Sequence, residues 1–194
     1  ATGKRGGRDF LGTVEVPAGA LYGSNSLRAF ENFQMAGRTL AECPEIIRAH
    51  AMVKWAAADA NQQLGSLPSK KAKAIRAACQ ALIDGKHHDA FIIDPIQGGA
   101  GTSTNMNANG VIANIAPKLM GRPRGDYATV NPNDHVNLSQ STNDVYPTAV
   151  RLTILRNCPS LIESQQALKD ALLAKAFEFD DVIKVGRTQL MDAV

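Results

Sequence analysis

Apolar residues recur at helical spacing through most of the chain. Ile46, Ile47, Met52, Val53, Ala56, Ala57, Ala60 and Leu64 fall three and four apart, which predicts a helix on residues 45–64. Pro44 precedes it and Gly65 is placed to stop it. Pro68 and Ser69 open a second helix, rich in Ala and Lys, that ends near Asp84-Gly85. A third apolar run, Val111-Ile112-Ala113-Asn114-Ile115-Ala116, predicts a helix that reaches Met120 and stops at Gly121. From Asp144 the pattern turns helical again, through Ala149, Val150, Leu152, Ile154 and Leu155 and on to Leu161, Ile162, Leu168, Leu172, Leu173 and Ala176. Pro159 is expected to kink or break that helix, with Asn157 or Ser160 re-capping it, because proline removes an internal hydrogen bond. Pro147 fits a first helical turn.

Alternation is rare. Thr13-Val14-Glu15-Val16 reads as a short β piece stopped by Pro17, residues 24–33 as a short helix or turn, and Val182-Ile183-Lys184-Val185 as a second β-branched piece. Residues 1–8 are Gly-rich and basic, and are expected to be a disordered start. Residues 122–133 read as a long loop. The fold expected is mainly α. Its organisation is a disordered start at 1–9, a mainly helical domain at 10–142, and the beginning of a helical-bundle domain at 143–194.

Composition narrows the function. The chain has 194 residues, enough for a sizeable core, and a net charge of +3 spread without clusters, so nothing marks it for nucleic acid. Aromatics make up 5%, too few for a base-stacking platform. No apolar run reaches ~18 residues, so no membrane span is expected. Cys43, Cys79 and Cys158 share no CxxC spacing, which fits free thiols and a cytoplasmic location. His87-His88 sits in a predicted loop with no third ligand, and is read as solvated surface with no metal. Arg28 is either a surface cation or a partner for a substrate carboxylate.

The candidate chemistry lies in three polar segments. In Gly98-Gly99-Ala100-Gly101-Thr102-Ser103-Thr104-Asn105-Met106-Asn107 a Gly-rich loop feeds a helix start with hydroxyls at hand. Glycine lets the backbone bend tightly, and a helix N-terminus offers unpaired N–H groups to an anion. Neither a phosphate-binding Gly-Lys-Ser/Thr nor a dinucleotide fingerprint is present, and alone the pattern serves equally as a capped turn. Gln140-Ser141-Thr142-Asn143-Asp144 repeats it, and Gly186-Arg187-Thr188-Gln189-Leu190-Met191-Asp192 forms a third segment. Such neutral donors, aimed from helix ends, suit a small dicarboxylate.

The chain resembles the N-terminal part of the aspartase/fumarase superfamily. The matching residues include Leu11-Gly12-Thr13-Val14-Glu15-Val16-Pro17-Ala18 with Tyr22-Gly23, and Leu27-Arg28-Ala29-Phe30-Glu31-Asn32-Phe33. They continue with residues 97–107, Asn131-Pro132-Asn133-Asp134-His135-Val136-Asn137, residues 140–144 and residues 186–194. Gly99-Ala100-Gly101-Thr102, Ser141-Thr142-Asn143-Asp144, Asn131-Pro132-Asn133-Asp134 and Gly186-Arg187-Thr188-Gln189 resemble the branch that eliminates ammonia from L-aspartate, where the hydratases carry Gly-Ser-Gly-Thr, Ser-Ser-Asn-Asp, His-Pro-Asn-Asp and Gly-Arg-Thr-His. Gly110, where the family usually has Glu, and Pro159 depart from the pattern.

The resemblance implies reversible deamination of L-aspartate to fumarate without a cofactor. The substrate would be bound by Thr102, Ser103, Ser141, Thr142 and Asn143, with Thr188 and Gln189 from another subunit of a homotetramer. It also implies a catalytic serine in a loop resembling Gly-Ser-Ser-x-Met-Pro-x-Lys-x-Asn-Pro. Nothing in the 194 residues matches that loop, so no catalytic residue is assigned here and the base is expected beyond Val194. His135 is read as structural. A hydratase of the same fold, and a non-catalytic dicarboxylate-binding fragment, remain the alternatives.

Overall fold

A computed structural model describes residues 3–9, 11–184, 186, 187 and 189–191. Seven longer elements follow in order: β1 (Lys4–Asp9), β2 (Gly12–Pro17), α1 (Ser24–Asn32), α2 (Pro44–Gln63), α3 (Ser69–Ile83), α4 (Thr102–Leu119) and α5 (Thr142–Glu178). The fold is mainly helical, as the periodicity predicts. It divides into two units, residues 1–153 and 154–194.

In the first unit α4 is the hub, packing against α1, α2 and α3. Residues 107–117 are buried without interruption, Asn107, Asn109 and Asn114 included, so this stretch of α4 is enclosed by the core. Ile47, Ala51 and Ala58 of α2 share one core with Ile75, Ala78, Cys79 and Leu82 of α3 and Val111, Ile112 and Ala116 of α4. The many alanines let helix axes approach closely. Pro44 sits at the start of α2, and Gly65, with φ +75°, ends it.

The expected disordered start is corrected. Residues 4–9 form β1, paired antiparallel to β2 from Lys4↔Pro17 to Asp9↔Gly12. The Arg5 guanidinium donates to the Ala20 and Tyr22 carbonyl oxygens (3.2 and 2.8 Å), which fastens the hairpin to the following loop.

The break expected at Pro159 is also corrected. α5 runs without interruption from Thr142 to Glu178. Proline removes the N–H that would bond the Leu155 carbonyl, but residues 154–157 are exposed, so water can replace it. Pro147 lies in the second turn of α5, not the first. In the first unit Val145 and Ala149 of α5 are buried. The second unit contains the rest of α5, with Leu161, Ile162, Leu168, Leu172, Leu173 and Phe177 exposed. Of the piece read as β-branched, Val182, Ile183 and Lys184 form no strand, and Val185 lies outside the described residues.

Candidate functional site

The Gly-rich loop makes one short turn, residues Gly99–Gly101, and delivers the chain into α4 at Thr102. Gly101 has φ +87°, and a Cβ there would land in the Tyr146 ring. Only glycine satisfies both demands, so the backbone at the α4 start lies directly on the second turn of α5. One turn further along α4, Asn105 Nδ2 donates to Thr142 Oγ1 at 3.1 Å. Two helix N-termini therefore start side by side. Each carries roughly half a positive charge, which favours an anion between or near them.

Thr102, Ser141, Thr142 and Asn143 are brought to these paired starts. The Ser141 hydroxyl oxygen accepts from the Asn143 N–H at 3.2 Å and caps α5. Thr142 Oγ1 accepts from Asn105. With their acceptor sides engaged by protein donors, both hydroxyls keep their protons for another acceptor. Thr102 differs: its hydroxyl donates to the Gly99 carbonyl at 2.7 Å, closing the loop.

Ser103, one residue on, lines a neighbouring cavity with Arg28 and Asn32, and Asp9 and Asn25 border both that cavity and the one at Thr102. Arg28 is already engaged there, since its guanidinium grips Asp9 through Nε (2.8 Å) and Nη2 (3.2 Å). That hydrogen bond holds the Asp9 carboxyl below the usual carboxylate range. Thr102 instead faces a cavity of 780 Å³ beside Met106 and Gly110, its neighbours on one face of α4, and Asn131 and Asn133. A Cβ on Gly110 would stand 3.4 Å from the Gly23 backbone nitrogen, so the residue lies against the loop before α1. Gln189 is exposed in the second unit, and Thr188 lies outside the described residues.

Beneath the α5 start is a buried polar cluster that motif reading overlooked. Asn137 Oδ1 accepts from Lys54 Nζ at 2.7 Å, Asn105 Nδ2 at 3.1 Å and Asn109 Nδ2 at 3.1 Å. Lys54 is wholly buried, and burial pushes its pKa down to about 7. His50, one turn before it on α2, is pushed down to about 4 by the same cause and stacks at a tilt 5.8 Å from Tyr146. The signal available in sequence was the set of amides Asn105, Asn107, Asn109 and Asn114 inside an apolar helix.

His135 is placed as a structural residue, whereas His88, expected as solvated surface, is half-buried and engaged. His135 Nδ1 accepts from the Asn131 N–H at 2.8 Å, and Nε2 lies 2.9 Å from Lys71 Nζ, so the ring braces the turn at Pro132–Val136. The His88 ring lies 2.8 Å from the Leu82 carbonyl, closing the turn after α3. Among the described residues no group of three or more His, Cys, Asp and Glu is spaced to hold a metal ion.

A protein family described as Lyase matches residues 12–194. The chain belongs to the aspartase/fumarase family of lyases. Within that family, aspartate ammonia-lyase of Pseudomonas aeruginosa is 56% identical over 187 residues, covering 96% of this chain and 40% of the relative. A fumarate lyase:delta crystallin from Brucella melitensis, in native form, matches with a TM-score of 0.92 and 53% identity over 99% of this chain and 45% of that one. A class II fumarase from Schistosoma mansoni matches with a TM-score of 0.86 and 39% identity, over 99% and 40%. The chain thus spans about 40% of the length of the curated relatives it matches.

Proposed function

We propose that this chain carries the carboxylate-binding part of an aspartate ammonia-lyase, which converts L-aspartate to fumarate and ammonia. The observation that carries this reading is the paired helix start: the Ser141 and Thr142 hydroxyls accept from protein donors and hold their protons for an anion. The 56% identity to an aspartate ammonia-lyase, against 39% to a fumarase, favours ammonia over water as leaving group.

In that reaction a base removes a proton from C3 of aspartate. The electron pair forms the C2–C3 double bond and the C2–N bond electrons leave with ammonia. Before that bond breaks, negative charge spreads from C3 into the adjacent carboxylate, as an enediolate. Hydroxyl donors and helix N-termini aimed at those oxygens stabilise this charge more than the ground state, and removing one such donor typically costs about 2.7–4 kcal/mol. Ser141, Thr142 and Asn143 fill this role; Thr102 joins them by turning its proton from the Gly99 carbonyl to the substrate, and Ser103 flanks the site from the neighbouring cavity. The base, worth roughly 10²–10⁴-fold, is a serine outside these 194 residues. Thr188 and Gln189 serve the site of another subunit in a cytoplasmic homotetramer. The exposed apolar residues of α5, Leu161 to Phe177, support that assembly as the surface a helical bundle would cover.

Gln189 fits the ammonium substrate. A neutral amide tolerates a charged ammonium, whereas an imidazole with a pKa near ~6.5 can carry a charge that repels it. The test is turnover of L-aspartate and L-malate by the complete protein and its Gln189→His variant. Preference for aspartate, weakened in the variant at pH 7 more than at pH 8.5, is the expected result. Turnover of malate by the unmutated protein would replace this reading with the hydratase.

A further inference from the structure

The buried cluster under Thr142 has a fixed direction. The Gln140 carbonyl can only accept, so the Asn137 atom that faces it at 3.0 Å must be the amide nitrogen and the atom 2.7 Å from Lys54 Nζ the amide oxygen. The Asn105 atom 3.1 Å from that oxygen must in turn be a nitrogen. The same nitrogen is 3.1 Å from Thr142 Oγ1, which therefore accepts. A hydroxyl that accepts from behind has its own proton free in front. Lys54 and Asn105 are at most 1% exposed, so water has little access to invert the order.

We propose that Lys54, Asn137 and Asn105 are positioning residues that make Thr142 an obligate hydrogen-bond donor toward substrate. This rests on the reading of the α5 start as a carboxylate site. Asn105 touches no substrate and acts through Thr142 alone. Asn109 provides the internal comparison. It lies one turn along the same helix, is equally buried, and donates to the same Asn137 oxygen at 3.1 Å, but it is not bonded to Thr142.

Asn105→Asp replaces the inward donor with an acceptor at nearly constant shape. The Thr142 proton then turns inward and is lost to the ligand. The experiment is a double-mutant cycle in the complete protein, with Asn105→Asp, Thr142→Val and both together, and Asn109→Asp as comparison. It is read as kcat/KM for L-aspartate and as fumarate affinity by calorimetry. Each of the first two variants should lower kcat/KM by about 100-fold, and the double variant by no more than about 100-fold, since residues acting through one another are not additive. Asn109→Asp should lose less than about 10-fold, although it buries the same carboxyl group beside the same partner. If Asn105→Asp does not fold, Asn105→Ala takes its place in the cycle. Losses that multiply to about 10⁴-fold, or equal losses at positions 105 and 109, overturn the inference. A protein that turns over no aspartate refutes the deamination reading instead, and the relay is then judged by the same cycle on fumarate affinity.

Discussion

Lys54 makes stability depend on pH in a calculable way. Its amine is buried against a neutral amide, Asn137, and among the described residues it forms no ion pair with a carboxylate. Its pKa is pushed from 10.5 to about 7 by burial. At about 1.4 kcal/mol per pH unit, keeping it charged in the folded state costs about 5 kcal/mol below pH 7. The sign follows from proton counting. Between pH 7 and 10.5 the unfolded chain holds a proton that the folded chain has released, so stability rises with pH there. Cys79, pushed up to about 12 by burial, works against this above its ordinary 9.0, because the unfolded thiol ionises first. The clean window is therefore pH 7 to 9, where Lys54 should add about 2 kcal/mol of stability. Lys54→Met keeps a long flexible side chain and removes the charge. Urea unfolding of both proteins at pH 6, 7, 8 and 9, followed by circular dichroism, gives the difference directly. The wild type should gain about 2 kcal/mol more than the variant from pH 7 to 9. Equal slopes would show that Lys54 is not titrating in this range and that the burial argument is wrong.

Two further predictions concern the loop. Gly101→Ala should destabilise the protein by about 3 kcal/mol, from a positive φ and from displacing the Tyr146 ring, and Tyr146→Ala should recover part of that loss in thermal unfolding. Full additivity of the two would mean the ring is not the obstacle. In the complete protein Thr102→Val should lower kcat/KM for aspartate by about 10²–10³, while the lost bond to Gly99 costs only about 1 kcal/mol of stability. A near-wild-type rate returns Thr102 to closing the loop and nothing more.

The main helices were legible because their signals are local. The apolar spacing of α2, the proline at its start and the glycine at its end all lie within one window of sequence. β1 was hidden for the opposite reason: Lys4-Arg5-Gly6-Gly7-Arg8-Asp9 has no apolar alternation, and its order comes from pairing with β2. The propensity of Pro159 alone predicts a break, because propensity does not register that an exposed helix can lose one bond to water. Thr102 stands out beside glycines, and Ser141 and Thr142 stand out as a polar run ahead of a helical pattern. Their supports do not, since Lys54 and Asn137 are 83 residues apart and Asn105 and Asn137 are 32 apart. Distant pairs of that kind leave no periodic trace, only the oddity of amides in an apolar helix. Ser103 shows the limit of motif adjacency, because one step along α4 turns a side chain by about 100° into another cavity.

The proposed division of labour puts the carboxylate donors in this chain and the base outside it. It is tested most directly by following fumarate release from L-aspartate, through its ultraviolet absorbance, with the complete protein, its Thr142→Val variant and the 194-residue chain alone. The complete protein should release fumarate, the variant about 100-fold more slowly, and the chain alone no faster than buffer. Fumarate release by the chain alone, in proportion to its concentration, or a variant as fast as the unmutated protein, would contradict the account.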